Sequence, residues 1–472
     1  MDVNKAETLK AFLGTLPARA AVKLLEAVEQ GALPAKTLGM SVEEIRETLR
    51  PALKELAGDR DSDDKPQRLF AEPFEDFLFD GERTEKIPGA IPRSSLEPIW
   101  HWVKFDLLPD TFPDMVDRIY THLASEDEEA LAASVTVMQE AAARAMQTAL
   151  ATCHTDTAFA DKLVRKLGDF NVIEDAREIA DVLSILDEMK GMQRRIPRHI
   201  SAFDDRMVCD VRDLYDELYE RDPDRAIYLA LAVMGRLQFP WHILRLARKV
   251  AQRSDDTMIS RTDFSILGER LIRRLEVISG SFQDLRPGLS DLKELRLLIM
   301  EFSELSHGIT KEIELLRIGN WGQRLLRGRN TISTAISDEF VRYLKDLSLA
   351  LPLQRIGGFG RSGPRRVDIS HPPVEERTDR VLRELTFMQE IEEYAQAIGV
   401  KNVYDKTRPE LQSYMETYED ALIAELRICD PASRENAEAF LDVAATITAL
   451  VIDESAASVL RKRGRVALQA SA

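Results

Sequence analysis

The sequence predicts an all-α protein of several helical parts, with a heptad-patterned bundle in its C-terminal half and a short irregular Phe- and Pro-rich segment near residues 68–93. Three observations carry this expectation. Apolar residues recur at steps of three and four along almost the whole chain, the period of one helix face. Aromatics are only 7% of the 472 residues while Leu, Ala, Ile and Val are plentiful, a balance that suits helical packing better than a sandwich or barrel. Charged residues are 31% and mixed in sign, as solvated outer faces of amphipathic helices require.

Residues 1–57 read as a small helical unit. Ile45, Leu49, Leu53 and Leu56 follow at helical steps, and Ser41 with Glu44 forms a capping box ahead of them. The acidic, polar stretch Ala57–Gln67 reads as a connector, and residues 58–93 join it to the irregular segment. There Phe70, Phe74, Phe77 and Phe79 are interleaved with Pro73, Pro88 and Pro92, which prevent a continuous helix. Rings of this kind are expected first as anchors buried across helices, each worth about 1.5–3 kcal/mol when removed from water. A docking segment for a partner, through the same four rings, is the alternative.

Ser94 or Ser95 is expected to cap the helix that follows, where Pro98 falls in the first turn. Residues 94–280 then read as a central helical array, punctuated at Asp222-Pro223 and Phe239-Pro240. No fixed period marks it as a repeat array. From Leu289 to Leu316 the pattern changes: Leu292, Leu295, Ile299, Phe302, Ser306, Ile309, Ile313 and Leu316 alternate steps of three and four for more than three heptads. Leu298 and Leu305 widen the stripe, so burial in a bundle is expected rather than an isolated two-stranded coil. Residues 281–460 are read as this bundle, with a basic break "RIGNWGQRLLRGRN", a helix from Ile332 to Leu349, a basic Gly-rich loop at 353–372, and helices near Val374–Ile398, Pro409–Ile428 and Ser433–Leu460. The tail, 461–472, is expected to fray.

The Gly-rich loop contains Gly358-x-Gly360-x-x-Gly363, a spacing that suits a dinucleotide pyrophosphate. That use needs a strand entering the glycines and a helix leaving them. Here a helix precedes, Pro364 follows, and no Gly-Lys-Ser/Thr is present, so the stretch is read as a linker and no cofactor is expected. Two arginine runs stand out in a chain of net charge −17: Arg317, Arg324, Arg327 and Arg329, with Trp321 among them, and Arg355, Arg361, Arg365 and Arg366. Pairing with acidic helices of the same chain, or plain solvation, is the first expectation. The alternative is one positive face for a polyanion, nucleic acid or anionic lipid, with Trp321 stacking on a base.

Catalytic signatures are sparse. Glu304 and His307 form one E-x-x-H, the spacing of di-iron carboxylate proteins, but no second copy exists, which leaves them weak metal candidates. Cys153, Cys209 and Cys429 lie far apart and read as buried free thiols of a reducing compartment. The N-terminus lacks a secretory pattern, and the longest apolar runs, Ala226–Met234 and Val443–Ile452, are about half a membrane span. The expectation is a non-enzymatic cytoplasmic scaffold or adaptor acting through helix faces on a protein partner, a second copy of the chain included. An all-helical enzyme with a site assembled from distant carboxylates is the remaining alternative.

Overall fold

Aspartates begin many of the helices. Asp127, Asp156, Asp169, Asp204 and Asp291 each stand in extended or near-extended backbone and accept a hydrogen bond from an amide two or three residues on. Each satisfies an amide that the first turn leaves without an intrahelical partner. The computed structural model describes residues 64–470 apart from 82, 84, 85, 253, 254, 284, 286–290 and 356–364, together with Leu13, Leu24, Ala27, Val28, Ile45, Thr48 and Leu49. The capping box at Ser41 and Glu44, most of the 57–67 connector, and Gly358, Gly360, Arg361 and Gly363 lie outside the described residues. The protein is all-α, with sheet confined among the described residues to two two-stranded pairs. Among the same residues, no helix is long and apolar enough to cross a membrane.

The chain divides into two compact units, Met1–Val250 and Ala251–Ala472. In the first, α1 (Asp64–Ala71) runs into a 3-10 turn at Glu72–Phe77, where Pro73 blocks continuation of the α-helix. Strands β1 (Leu78–Phe79) and β2 (Ile91–Pro92) then pair in parallel. Next come α2 (Leu96–Trp102), α3 (Phe112–Ser125), the Ala-rich α4 (Glu128–Thr155) and α5 (Thr157–Leu167). α6 (Phe170–Ser184), α7 (Leu186–Arg195), α8 (Asp205–Arg221), α9 (Pro223–Arg236) and α10 (Leu244–Ala251) follow. Pro223 opens α9, and Pro240 opens a 3-10 turn ahead of α10, as the two proline breaks predict.

The irregular segment is tied to this unit by rings and charge. Phe70, Phe74 and Phe77 are 2%, 0% and 1% exposed, and Phe79 is half-buried. Phe70 lies against Phe74 and Trp100, Trp100 against Phe112, and Phe77 edge-on to Tyr228. Three of the four candidate docking rings therefore lie in the unit's own core, because apolar surface of that size finds burial at home. Ser95 does not cap α2 with its side chain; its hydroxyl donates to Asp175 at 2.7 Å, and that fully buried carboxylate also receives Arg83 at 2.7 and 2.8 Å.

In the second unit, α11 (Asp256–Ile259), α12 (Ser265–Gly280) and α13 (Leu292–Glu312) precede the long α14 (Asn320–Ala350). Leu295, Ile299, Phe302, Leu305 and Ile309 of the heptad stripe are buried, and α13 packs on α12 and on α15 (Glu375–Glu390), inside a bundle. Ile313, though buried, is already extended, so the stripe outlasts the helix. α16 (Lys401–Leu426), α17 (Arg434–Val451) and α18 (Glu454–Ala470) complete the unit.

Several boundaries differ from the expected ones. α14 begins at Asn320, not Ile332: the glycines of the supposed break allow close helix packing, since a Cβ at Gly328 would sit 3.0 Å from the Ser279 hydroxyl. Strands β3 (Leu353–Arg355) and β4 (Arg365–Val367) pair antiparallel on either side of the Gly-rich stretch. Pro409 stands inside α16 instead of opening it. The helix expected over Ser433–Leu460 breaks at Ile452–Asp453, and residues 461–470 belong to α18, with Leu460, Gly464, Ala467 and Leu468 buried along one face, so this stretch does not fray. Of the thiols expected to be buried, only Cys429 is; Cys153 is half-buried and Cys209 exposed. Val208 and Val211 turn inward on α8, which leaves Cys209 facing solvent, where it accepts a bond from the Lys249 ammonium at 2.9 Å.

Candidate functional site

Helix α14 carries Arg324, Arg327 and Arg329 of the first arginine run, a cluster of buried charge and an open groove. Its first turns hold Trp321, 1% exposed, whose indole N–H donates to Glu269 of α12 at 2.6 Å. A ring so placed has no face free for a base, so the stacking role proposed for Trp321 falls. Arg324 lies one turn on and forks onto both Glu269 and Glu276, with Glu276 oxygens at 2.7 and 2.8 Å. The hydrogen bonds from Arg324, more than its charge, hold the Glu276 carboxyl below its ordinary range.

The rest of the basic run is divided. Arg329 donates to the Gln396 carbonyl at 2.7 Å, and Arg366 to Glu425 at 2.8 Å. Arg317, Arg327 and Arg365 are exposed. The side chain of Arg355 and the whole of Arg361 lie outside the described residues. Arg324, Arg329 and Arg366 thus hold carboxylates or a carbonyl of their own unit, while Arg317, Arg327 and Arg365 face solvent. Glu304 and His307 are both exposed on α13, and among the described residues no group of three or more His, Cys, Asp or Glu is placed to hold a metal ion.

Further along α14, Glu339, Arg342, Tyr343 and Asp346 share one inward face and meet Arg380 and Glu384 of α15. No sequence signal marked this cluster. The residues are ordinary members of two amphipathic patterns, and only the packing of α14 on α15 brings them together.

The outward face of α14 carries Gln323, Arg327, Asn330, Thr334, Asp338, Val341, Lys345 and Leu349, again at steps of three and four. Val341 is 74% exposed. Midway, a groove of about 470 Å³ opens between this helix and the residues that follow α12. Its lining combines the small Thr331, Thr334 and Ala335, the apolar Phe282 and Leu285, and the polar Asn330, Asp338 and Gln283. Small residues at i, i+3 and i+4 allow close approach of another backbone, while the polar residues offer hydrogen bonds that fix its register. Compared with known proteins, the chain matches no family model, no curated protein and no solved structure.

Proposed function

We propose that the chain is a non-enzymatic helical scaffold that acts through protein–protein contacts, with the outward face of α14 as a contact surface. The observation that carries the reading is the groove at Thr331, Thr334 and Ala335, whose lining combines small, apolar and polar side chains. That combination suits an amphipathic helix laid in a groove, a mode in which apolar anchors supply affinity and polar contacts supply register. The internal pairing of Arg324, Arg329 and Arg366 favours a protein partner over a phosphate-rich one, since it removes guanidiniums that a polyanion would need.

The test is the size of the assembly that the chain forms in extract of its own cell. Ala335→Glu puts a carboxylate in the groove lining at a position that is only half-buried, so the fold should tolerate it. The reading expects the unmodified chain to elute in an assembly larger than itself and the variant to elute at its own mass. Coelution that the variant leaves unchanged removes the groove from the account.

A further inference from the structure

The exposed face of α14 is spaced symmetrically about Thr334. Gln323, Arg327 and Asn330 stand 11, 7 and 4 residues before it, and Asp338, Val341 and Lys345 stand 4, 7 and 11 residues after it, all of them exposed. The groove shares this centre, since its lining on α14 runs from Asn330 to Asp338. Along the face lie two cations, Arg327 and Lys345, and one carboxylate, Asp338, in a chain whose net charge is −17. An identical chain, equally acidic elsewhere, can approach this face without setting acid on acid.

We infer that the partner held at this groove is a second copy of the chain, docked by its own α14 and antiparallel across a two-fold axis at Thr334. The inference rests on the groove reading above and names its occupant.

The register follows from the spacing. With Thr334 facing its counterpart, every position faces the one equally distant on the other side. Asn330 then meets Asp338 of the second copy, its amide donating to the carboxylate. Arg327 lays its aliphatic stem over Val341 of the second copy, a side chain 74% exposed in the single chain, and its guanidinium reaches Asp338 one turn along. Gln323 meets Lys345 of the second copy, its carbonyl accepting from the ammonium. Each contact occurs twice, as a two-fold requires. Parallel pairing in register would instead set Arg327 on Arg327, Asp338 on Asp338 and Lys345 on Lys345, and like charges so placed repel. Near the axis Thr331, Thr334 and Ala335 are small, which lets the two helix axes come close.

Sedimentation of the purified full chain tests this. At about 10 μM the chain is expected to run as two copies. Arg327→Glu and Asp338→Arg each set like charges against each other across the axis, twice over, and each should weaken the pairing about tenfold or more. Both side chains are exposed, so neither change disturbs the packing of α14 in its own unit. The combined Arg327→Glu and Asp338→Arg chain exchanges the charges and should pair like the unmodified one. A chain that sediments as a monomer overturns the inference. So does a dimer that the single substitutions leave unchanged, or one that the exchange fails to restore. The groove reading fails separately: a purified monomer whose larger assembly in extract is still lost in Ala335→Glu keeps the groove and puts a different protein in it.

Discussion

The Trp321 indole and the Glu269 carboxylate are joined at 2.6 Å, and Arg324 closes the arrangement by bridging Glu269 to Glu276. This joint fastens the first turns of α14 to α12. Replacing Arg324 by Met would remove the partner shared by Glu269 and Glu276, two turns apart on α12, and leave Trp321 on the first and Arg273 on the second. The side chains of Glu269 and Glu276 are 40% and 30% exposed, so solvent moderates the cost to about 1–2 kcal/mol, below that of a fully buried pair. Glu276 adds a pH signature. Its folded value lies below 4.5, so its contribution is present above that value and is lost as the pH falls through the folded one. Urea unfolding of both proteins at neutral and acid pH should show the difference shrinking in acid.

Two glycines are fixed by what stands opposite them. A Cβ on Gly235 of α9 would lie 2.0 Å from the Asp76 backbone carbonyl, and one on Gly268 of α12 would lie 2.1 Å from the Trp321 ring. Neither neighbour is the free end of a flexible chain. Gly235→Ala and Gly268→Ala are each expected to lower stability by about 1–3 kcal/mol or more. Gly191→Ala, with open space around its Cβ, should stabilise α7 slightly or have no effect. Thermal melts of the three variants check the order.

Asp175 holds the irregular segment to α6. It is fully buried and receives Arg83, Lys86 and Ser95. Asp175→Ala removes the carboxylate that holds the largely buried Arg83, while Lys86 keeps Glu178 at 2.6 Å, and should cost about 3–5 kcal/mol. Limited proteolysis should then cut between Leu78 and Arg93 well before the helices melt.

The arginine run yields a prediction by its pairing. In buffer of about 0.15 M salt, the chain is expected to bind neither heparin nor single-stranded DNA measurably, given its net charge of −17 and the internal partners of Arg324, Arg329 and Arg366. Fluorescence anisotropy with a labelled oligonucleotide measures it. Tight binding that Arg317→Glu with Arg327→Glu abolishes would restore the polyanion reading.

The fold class was legible because helical periodicity and the proline breaks agree. Pro223 and Pro240 open, and the stripe from Leu295 to Ile309 is buried, whereas the aspartate caps at Asp127 and Asp204 went unread and Ser95 does not cap with its side chain. What misled were local rules overruled by packing. Gly322 and Gly328 read as breakers yet lie within α14, where they let α12 and the preceding turn approach. Pro409 reads as a helix start yet sits inside α16. The candidate site was legible only in part: the arginines could be counted, but their partners are 48 to 67 residues away in sequence. The charged cluster at Glu384 and the groove at Thr334 depend on which helix packs on which, and no spacing along the chain carries that.

The most direct measurement is photo-crosslinking in the native cell, with a light-activated residue at Thr334 in one chain and, as control, at the exposed Asp161 of α5 in another. The account predicts a discrete protein adduct from position 334 that Ala335→Glu abolishes and that position 161 does not give. A nucleic-acid adduct at 334, or the same adducts from both positions, would contradict it.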